Sequence, residues 1–202
     1  MNRYNGTLTK NQLAFVLESI AWSVRPTLQY AYYLPESKVL VSTDSFRLHE
    51  LKVDLWDEPF LIDKNGKRHA PPPSYIFPFY KNFFPSDDVQ KIPVLFDQKR
   101  IKEMYNVMKA CKENVLRIEP DFTGHIRPDK NKNMMIQASI KLANNHVTFP
   151  HEFCIDSNLF YSATRYLAPT TEVQQKDPLA PFIVHSSIEG YPARALIMPL
   201  KY

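Results

Sequence analysis

The segment VLVSTDSFRLHEL, residues 39–51, places several chemically capable side chains close together. It begins with the alternation of a strand, and then presents a carboxylate at Asp44, a guanidinium at Arg47 and an imidazole at His49 beside Glu50. A strand that only fills a core does not need a Thr-Asp-x-x-Arg-Leu step at its exit. The step therefore indicates a role beyond packing.

The histidines and cysteines do not show a spacing that is typical of catalysis or metal binding. His151, Cys154 and Asp156 are close in sequence, but residues 151 and 154 of a strand point to opposite faces, so they cannot form a nucleophile–base pair. The pair His49 and Glu50 lacks the spacing of a zinc site. The chain has only 4 glycines, and the glycine-rich phosphate-binding motifs do not occur. We therefore predict that the chain is not an enzyme and uses no cofactor or metal.

A second group of polar residues lies on a predicted amphipathic helix at residues 97–112, where three lysines recur at helical spacing opposite an apolar stripe. A solvated face is the commoner explanation of such a pattern, and contact with phosphates is the rarer one. The net charge of +4 is compatible with a nucleic-acid partner but too weak to demonstrate one. The basic residues that we expect to contact DNA are Lys99, Arg100, Lys102, Lys109, Lys112 and, from the last predicted helix, Arg165.

Amphipathic patterns place these residues on repeated units of strand and helix. Helices are predicted at residues 10–24, 97–112 and 157–167, the first with Thr9 as its N-cap. Strands are predicted at residues 4–8, 28–34, 38–53 with room for a bend, 92–96, 115–119, 134–142, 152–156, 182–188 and 193–200. The units begin near Tyr4, Ile92 and Glu152, and each has one helix to cover a sheet. The predicted fold class is therefore α+β, with helices on one face of antiparallel sheets.

Residues 56–90 differ from the rest of the chain in composition. Prolines such as Pro71, Pro78 and Pro85 exclude a long helix or a central strand there. We interpret the segment as an insertion that packs on the surface through its aromatic side chains. A flexible linker is the weaker alternative, because it would leave six aromatic side chains in water. These are Tyr75, Phe77, Phe79, Tyr80, Phe83 and Phe84.

Three segments together resemble the bacterial sliding clamp, the beta subunit of DNA polymerase III. The first, LTKNQLAFVLESIAWSV through RPTLQYAYYLPESKVLVSTDSFRLHEL, resembles the opening half of the clamp's middle domain, which carries a T-D-G-H-R-L step. The second, IPVLFDQKRIKEMYNVMKACKENVLRIEP through MMIQASIKL to VTFPHEF, resembles the second half of that domain. The third, FCIDSNLFYSATRYLAP to ALIMPLKY, resembles the end of the last domain. The resemblance covers most of the chain apart from residues 56–90.

The resemblance implies a use for the polar step. In the family, the T-D-x-x-R-L step, a Phe-Pro step and the C-terminal tail converge on one pocket, which binds short apolar peptides of polymerases and other clients. Leucine, proline and methionine suit an adaptable apolar cleft of this kind. The positions of this sequence that match the pocket are Thr43, Ser45, Phe46, Arg47, Leu48, Pro150, Leu196, Met198 and Pro199. Without the resemblance, strand ends that pack on one another would be the preferred interpretation.

This sequence departs from the family pattern in several places. Ser45 and Phe46 replace a Gly-His pair, so we expect a reshaped pocket floor. Counterparts of the clamp's first domain and of the first half of its last domain are absent from the resemblance. A compact clamp of the phage or mobile-element type is one interpretation. We divide the chain into a clamp-like domain at residues 1–150, which contains the insertion, and a partial clamp-like domain at residues 151–202.

The resemblance implies a processivity factor that encircles duplex DNA without reading its sequence and tethers DNA polymerase or other replication proteins. The alternative is a clamp-like adaptor or decoy that binds client peptides and never closes a ring. Clamp rings contain twelve helix-bearing units, so three units per chain predict a closed homo-oligomer of four chains. Three chains are expected if the insertion hides a fourth unit, and a monomer if it caps a sheet edge. Because no signal peptide or membrane-length apolar run is found, we expect a cytoplasmic, nucleoid-associated protein with no membrane partner.

Overall fold

The computed structural model describes residues 7–21, 25–86, 88–126 and 138–201 of the chain. Within these residues there are three α-helices: α1 (Lys10–Leu17), α2 (Gln98–Ala110) and α3 (Ser157–Thr164). The first seven strands are β1 (Ala31–Leu34), β2 (Val39–Thr43), β3 (Arg47–Lys52), β4 (Phe60–Ile62), β5 (Arg68–His69), β6 (Ile92–Leu95) and β7 (Val115–Ile118). The later strands are β8 (Thr123–Ile126), β9 (Ala138–Lys141), β10 (Phe153–Asp156), β11 (Thr170–Gln174), β12 (Phe182–Ile188) and β13 (Tyr191–Ile197). Two short 3-10 helices span Pro26–Leu28 and Lys81–Phe83.

Each α-helix begins at a side chain that accepts hydrogen bonds from the first backbone N–H groups of the helix. At the start of α1, Gln12 N–H donates to Thr9 Oγ1 at 3.2 Å, and Thr9 N–H donates to Gln12 Oε1 at 3.0 Å. Asp97 caps α2 and Asp156 caps α3 through their carboxylates. The predicted helix starts are confirmed, because a capping side chain is a local signal in the sequence.

The predicted C-terminal ends of α1 and α3 are wrong, since both helices are shorter than predicted. α1 ends at Leu17, and α3 ends at Thr164 rather than at Leu167. In each case the chain leaves the helix through a tight turn that keeps an apolar residue buried. Ile20 N–H bonds to the Leu17 carbonyl oxygen, and Leu167 N–H bonds to the Thr164 carbonyl oxygen. The apolar spacing therefore continues past each helix, and periodicity overestimates its length.

Parts of three predicted elements lie outside the described residues, namely residues 4–6, 22–24 and 134–137. The three predicted units are nevertheless recognisable. The first unit contains α1, β1, β2 and β3, the second contains β6, α2, β7, β8 and β9, and the third contains β10, α3, β11, β12 and β13. The insertion between the first and second units contributes β4 and β5.

The described strands form two antiparallel sheets. The larger has nine strands in the order β5-β4-β1-β2-β3-β13-β12-β11-β6, and the smaller has four in the order β10-β7-β8-β9. The second and third units exchange their first strands. β6 of the second unit pairs with β11 of the third, and β10 of the third unit pairs with β7 of the second. Each sheet thus takes strands from both sides of residue 150. The division of the chain into residues 1–150 and 151–202 stays a prediction.

The hydrogen bonding of the sheets corrects three strand predictions. The predicted bent strand at residues 38–53 is a hairpin of β2 and β3, in which Thr43 pairs with Leu48. The sequence predicts loops where β8 and β11 lie. Both strands are short and rich in polar residues, so their alternation of buried and exposed positions is hard to detect from the sequence.

The helices cover one face of the sheets, and the α+β fold class is confirmed. α1 packs on β2 and β3, and α3 packs on β10 and β13 with α2 beside it. Leu40 and Leu51 face the helices and share the main core with Phe15 of α1. Val41 and Leu48 belong to a second, smaller cluster. Because neighbouring residues of a strand point to opposite sides, this second cluster lies on the outer face of the nine-stranded sheet.

The insertion at residues 56–90 extends the sheet and then crosses its outer face. β4 pairs with β1 and with β5, so a short hairpin ends the nine-stranded sheet on that side. Farther along, Tyr75 packs against Tyr32 of β1, with ring centroids 5.4 Å apart. The prediction that the insertion packs through its aromatic side chains is confirmed, and the flexible-linker alternative is wrong. Two of its aromatic residues, Phe79 and Phe83, nevertheless remain more than half exposed.

His49 joins α1 to the sheet from a fully buried position. Its ring stacks on Phe15 with the centroids 4.3 Å apart, and its Nδ1 lies 2.5 Å from the Phe15 carbonyl oxygen. Burial lowers the pKa of His49 to about 3, although the bond to the Phe15 carbonyl opposes that shift. The ring is therefore neutral at ordinary pH and donates its Nδ1–H to that carbonyl oxygen.

We predict that acid destabilises the fold through His49. The side chain binds a proton near pH 6.5 in the unfolded chain, but only near pH 3 in the folded chain. Stability should therefore fall as the pH drops from 6.5 toward 3, by up to roughly 1.4 kcal/mol per pH unit for this one residue. The free energy of unfolding, measured with urea, should fall more steeply between about pH 7.5 and about pH 5 for the wild type than for His49→Phe. The phenylalanine keeps a ring that can stack on Phe15 but does not titrate.

His185 provides the internal control for this experiment. Burial, and to a lesser extent the charge of Lys91, lowers the pKa of His185 to about 4, so it also favours the unfolded state in acid. Because it titrates in both proteins, its contribution cancels when their slopes are compared. Equal slopes for the wild type and His49→Phe would contradict the prediction.

Candidate functional site

The Thr-Asp-x-x-Arg step forms the turn between β2 and β3. The Asp44 carboxylate accepts hydrogen bonds from the backbone N–H groups of Phe46 and Arg47 at 3.0 and 2.9 Å, and from Arg47 Nε at 3.0 Å. Thr43 Oγ1 donates to the Arg47 carbonyl oxygen at 2.7 Å and accepts from the Ser45 N–H at 3.1 Å. The polar side chains of the step thus close the turn and satisfy its backbone groups.

The backbone of Ser45, within this turn, adopts a conformation that usually favours glycine. Its φ angle is 79°, in the left-handed region, which costs a residue with a side chain roughly 1 to 2 kcal/mol. A glycine would adopt this conformation without that cost. The following residue, Phe46, is 65% exposed at the tip of the turn. The Ser-Phe pair therefore keeps the turn and adds a large apolar side chain at the surface.

The turn is joined to both α3 and the C-terminal tail. Arg47 Nη1 donates a hydrogen bond to the hydroxyl of Ser162 on α3. Met198, just after β13, donates its backbone N–H to the Phe46 carbonyl oxygen at 2.8 Å. Segments that are far apart in the sequence thus meet at one corner of the molecule.

An apolar cleft of about 260 Å³ opens at this corner. Leu48 and Leu196 form its floor, since they are paired neighbours on β3 and β13 and both are buried. Six of the residues predicted for the pocket line it: Thr43, Ser45, Arg47, Leu48, Leu196 and Met198. Their function in binding a peptide stays a prediction.

The other three predicted pocket residues do not line the cleft. Phe46 lines a separate depression toward α1. Pro150 is exposed on the loop before β10, whereas its neighbour Phe149 is buried in the main core. Pro199 is half-buried on the tail, outside the cleft lining. A match to a sequence motif does not show which of the matched side chains point into the cleft.

The remaining lining residues come from two segments that were not among the predicted pocket positions. They are Arg25, Thr27 and Leu28, at and before the first 3-10 helix, and Pro78, Tyr80 and Phe83 of the insertion. The cluster of proline and aromatic residues in the insertion was the available signal for the second segment. The sequence does not indicate where that cluster packs, because its contacts are made to residues far away along the chain.

Tyr80 is held in the cleft wall by an ion pair between β3 and β13. Arg194 donates to Glu50 Oε1 from Nε and Nη2 at 2.9 and 2.6 Å, and the Tyr80 hydroxyl hydrogen-bonds to the same carboxylate group. The Arg194 guanidinium also lies over the Phe84 ring, 4.0 Å from its centroid. Burial raises the pKa of Tyr80 well above its usual range, and the Glu50 charge acts in the same direction. The insertion is therefore tied to both strands of the cleft floor.

A larger, open depression of about 610 Å³ lies on the α1 side of the turn. Three charged residues line it, but each already has a partner. Glu18 pairs with Arg165, and Asp44 pairs with Arg47 at 3.0 Å. The cleft over Leu48 is the better candidate for a binding site, because it combines a buried apolar floor with defined walls.

The basic residues that are predicted to contact DNA differ in their surroundings. Lys99 pairs with Glu103 at 3.9 Å and Arg100 pairs with Asp97 at 3.4 Å, both on the exposed surface of α2. Arg165 also packs over the Tyr166 ring, 4.6 Å from its centroid, besides pairing with Glu18. Arg165 is thus committed to contacts within the protein and is the weakest of the predicted DNA contacts.

α2 presents a net positive surface, unlike the other two helices. Lys102 and Lys109 are exposed and have no ion-pair partner among the described residues. Lys112 follows the helix with a φ angle of 57°. Residues 97–112 contain five basic and two acidic side chains, whereas residues 9–18 and 156–165 contain one of each. Contact between this surface and DNA stays a prediction.

The described residues do not offer a metal site. No group of histidine, cysteine, aspartate and glutamate side chains within the described ranges is arranged to hold an ion. Cys111 and Cys154 form no disulfide bond. In the part of the chain that the structure describes, every helix is too short or too polar to cross a membrane.

Protein-family models and curated proteins do not match this sequence, but solved structures match its fold. A beta clamp of Helicobacter pylori bound to a DNA ligase peptide matches with a TM-score of 0.71 at 11% identity, covering 95% of this chain and 63% of that one. The DNA polymerase sliding clamp of Bacillus subtilis matches with a TM-score of 0.68 at 14% identity, covering 95% and 62%.

The beta sliding clamp of C. crescentus matches with a TM-score of 0.70 at 16% identity, covering 96% of this chain and 65% of that one. At these identities the likeness concerns the fold. In each of the three comparisons this chain spans less than two thirds of the other chain. The chain therefore has the fold of the bacterial DNA polymerase sliding clamps.

Proposed function

We propose that this protein is a clamp-type replication factor that contacts duplex DNA through α2 and tethers DNA polymerase or other replication proteins through the cleft. The observation that carries the proposal is the cleft itself. Residues of two clamp-like motifs that are about 150 positions apart in the sequence, 43–48 and 196–198, line one apolar depression. The proposed role is binding, without catalysis, on DNA of any sequence in the cytoplasm.

The chemistry of the cleft suits a short apolar peptide. Leu48 and Leu196 provide a buried floor, and Met198 at the rim is a flexible side chain that adapts to different partners. Thr43 and Ser45 add polar groups near the rim that can orient a peptide backbone. The volume of about 260 Å³ is below the roughly 300 to 1,000 Å³ of small-molecule pockets, so the cleft fits one or two peptide side chains.

The surface of α2 suits the phosphate backbone of DNA. Its exposed lysines lie on the helix-covered side of the sheets, opposite the outer face that holds Leu48 and the insertion. Contacts from lysine to phosphate do not depend on the base sequence, and they suit a protein that must move along DNA. DNA and a client peptide would therefore be held on different faces.

A second candidate function is an adaptor that binds client peptides without closing a ring. The pairing of β4 with β1 favours it, because the insertion caps the sheet edge of the first unit. The condition for a ring of three chains, a fourth helix-bearing unit in the insertion, is not met in its described residues 56–86 and 88–90. A ring of four chains and a monomeric adaptor are therefore the two assemblies to compare.

The first prediction concerns the cleft. The DNA ligase peptide found on the Helicobacter pylori clamp should bind this protein in the micromolar range, which corresponds to roughly −8 kcal/mol. Met198→Ala removes apolar contact at the rim and should weaken binding at least about fivefold in a fluorescence anisotropy titration. Pro199→Ala, at the next position but outside the cleft lining, should bind like the wild type. Equal affinity of wild type and Met198→Ala would refute the assignment of the cleft.

The second prediction concerns α2. The double charge reversal Lys102→Glu and Lys109→Glu should weaken DNA association equally for every duplex sequence. The slope of the logarithm of the binding constant against the logarithm of salt concentration should shrink in magnitude by about two, one for each lost phosphate contact. Lys52→Glu with Lys81→Glu is the matched control, since these exposed lysines lie on β3 and on the insertion. A sequence-selective loss, or the same loss in the control, counts against contact through α2.

The third prediction concerns assembly. A closed ring requires repeated head-to-tail contacts between identical chains, and the expected number is four. Light scattering at micromolar concentration, with and without duplex DNA, should then give about four times the mass of one chain. A protein that remains monomeric in both conditions excludes the ring and selects the adaptor.

A further inference from the structure

The turn between β4 and β5, residues 63–67, belongs to the insertion but lies on the helix-covered side of the nine-stranded sheet. A β-carbon placed at Gly66 would lie 3.1 Å from Leu13 Cδ2, so the turn rests on α1. Beside this contact, Lys64 and Asn65 line a depression of about 370 Å³ together with apolar residues at the C-terminal end of α1. The insertion therefore reaches both faces of the sheet, with its aromatic segment on the outer face and this turn on the other.

The first residue of β5 points to the same side as the turn. The Arg68 guanidinium lies over the Phe60 ring, 4.6 Å from its centroid. Phe60 belongs to the main core beneath the helices and stacks on Tyr33. Residues 63–69 contain three basic side chains and one acidic side chain. The hairpin thus carries net positive charge around the edge of the sheet to the side of α1.

Asp63 fixes the shape of the turn. Its Oδ1 accepts the N–H groups of Asn65 and Lys67, both at 2.9 Å, and its Oδ2 lies 2.9 Å from His69 Nε2. Gly66, with a φ angle of 80°, donates its N–H to the Asp63 carbonyl oxygen at 2.8 Å. The hydrogen bond from His69 lowers the pKa of the Asp63 carboxyl, and the bond from the Lys67 N–H acts in the same direction. The acidic group is thus used within the turn, which holds its two lysines at fixed backbone positions.

α1 itself brings little charge to this side of the molecule. Residues 9–18 contain one basic and one acidic side chain, and the acidic one, Glu18, pairs with Arg165. A duplex that lies along the helix-covered side and is held by α2 would therefore meet a nearly neutral surface at α1. The turn supplies the positive charge that the helix of the first unit lacks.

Resting on the proposed contact between α2 and duplex DNA, we propose that the turn at residues 63–67 is a second phosphate-binding site for the same duplex. Lys64 and Lys67, both exposed, are its contacts. A lysine that contacts a phosphate does not read the base sequence, so this site holds the duplex without selecting one. Because the turn and the cleft lie on opposite faces of the sheet, a partner in the cleft leaves this site open.

The test is the double charge reversal Lys64→Glu and Lys67→Glu in the full chain, titrated with duplex DNA by fluorescence anisotropy at several salt concentrations. The slope of the logarithm of the binding constant against the logarithm of salt concentration should shrink in magnitude by about two. Two duplexes of different base composition should show the same change. Lys52→Glu with Lys81→Glu changes the net charge equally at exposed positions of β3 and of the outer-face segment, and it should leave the slope nearly unchanged.

Photocrosslinking distinguishes contact from attraction at long range. Asn65→Cys on the turn and Asn82→Cys on the outer-face segment place a photoreactive thiol label at two exposed positions. A Cys154→Ser background keeps the labelling specific, since Cys111 is buried. The label at position 65 should crosslink to duplex DNA, and the label at position 82 should not.

The outcomes separate this inference from the proposed function. Exposed side chains can be changed without opening the core, and thermal unfolding of each variant verifies that its fold is intact. A slope that the turn variant leaves unchanged, while Lys102→Glu with Lys109→Glu reduces it, overturns the second site alone. Equal losses in the turn variant and its control, or equal crosslinking from both labels, overturn it too. A wild-type protein that does not bind duplex DNA overturns both proposals.

Discussion

The antiparallel pairing of β3 with β13 is the contact on which the rest of the structure depends. Among the described strand pairs, it is the one that connects the strands of the first unit and the insertion to those of the second and third units. Its register sets Leu48 beside Leu196 and Glu50 beside Arg194. The first pair makes the floor of the cleft, and the second makes the ion pair that holds Tyr80. A slip of one residue would turn the two side chains of the shifted strand to the opposite face of the sheet and break both pairs.

The period of two along these strands also separates the two proposed binding surfaces. His49 and Leu51 of β3 face the helices, while Leu48 and Glu50 face outward to the cleft and the insertion. The inner face is covered by helices, of which α2 carries the positive surface. The outer face is covered by the insertion, which buries its aromatic side chains there and leaves the cleft open at the β3–β13 joint. A ligand on one face therefore leaves the other face accessible.

The features that could be predicted from the sequence are those with a local or motif-based signal. Thr9 marked the start of α1, because a cap needs only residues within one turn, and Asp97 and Asp156 cap α2 and α3 in the same local way. Apolar periodicity overestimated the lengths of α1 and α3, because residues such as Ile20 stay buried after the helix has ended. The hairpin turn and the tail were found together only through the resemblance to clamps, since nothing in their own composition relates residue 43 to residue 198.

Other features depend on contacts between distant residues and leave no local pattern. The exchange of β6 and β10 between units is one example, because an apolar strand has the same alternation whichever neighbour it pairs with. The wall formed by Tyr80 is another. It requires Glu50 and Arg194, which come together only when β3 meets β13. The aromatic composition of the insertion correctly predicted that it packs, but the surface it packs on was set by that joint.

The sheet edges explain how three units and an insertion make a complete fold. The first strand after the helix of each unit receives a strand from elsewhere: β7 receives β10, β11 receives β6, and β1 receives β4 of the insertion. The insertion thus does for the first unit what the exchanged strands do for the other two. Because β4 already uses the backbone groups on that side of β1, a second copy cannot add a strand there.

The remaining ends of the sheets limit how copies of the chain can join. β5 has two residues, which is too short to template another strand well. The outer edge of β6 is covered by Asn145, whose side chain bonds to the Leu95 N–H at 2.8 Å and to the Pro93 carbonyl oxygen at 3.1 Å. On β10, the Cys154 carbonyl oxygen accepts the Leu200 N–H at 2.8 Å. Among the sheet ends in the described ranges this leaves β9 as the end without such a covering contact. Each joint of a head-to-tail ring brings together two different surfaces, so within the described residues the surface that meets β9 has to be built from side-chain contacts.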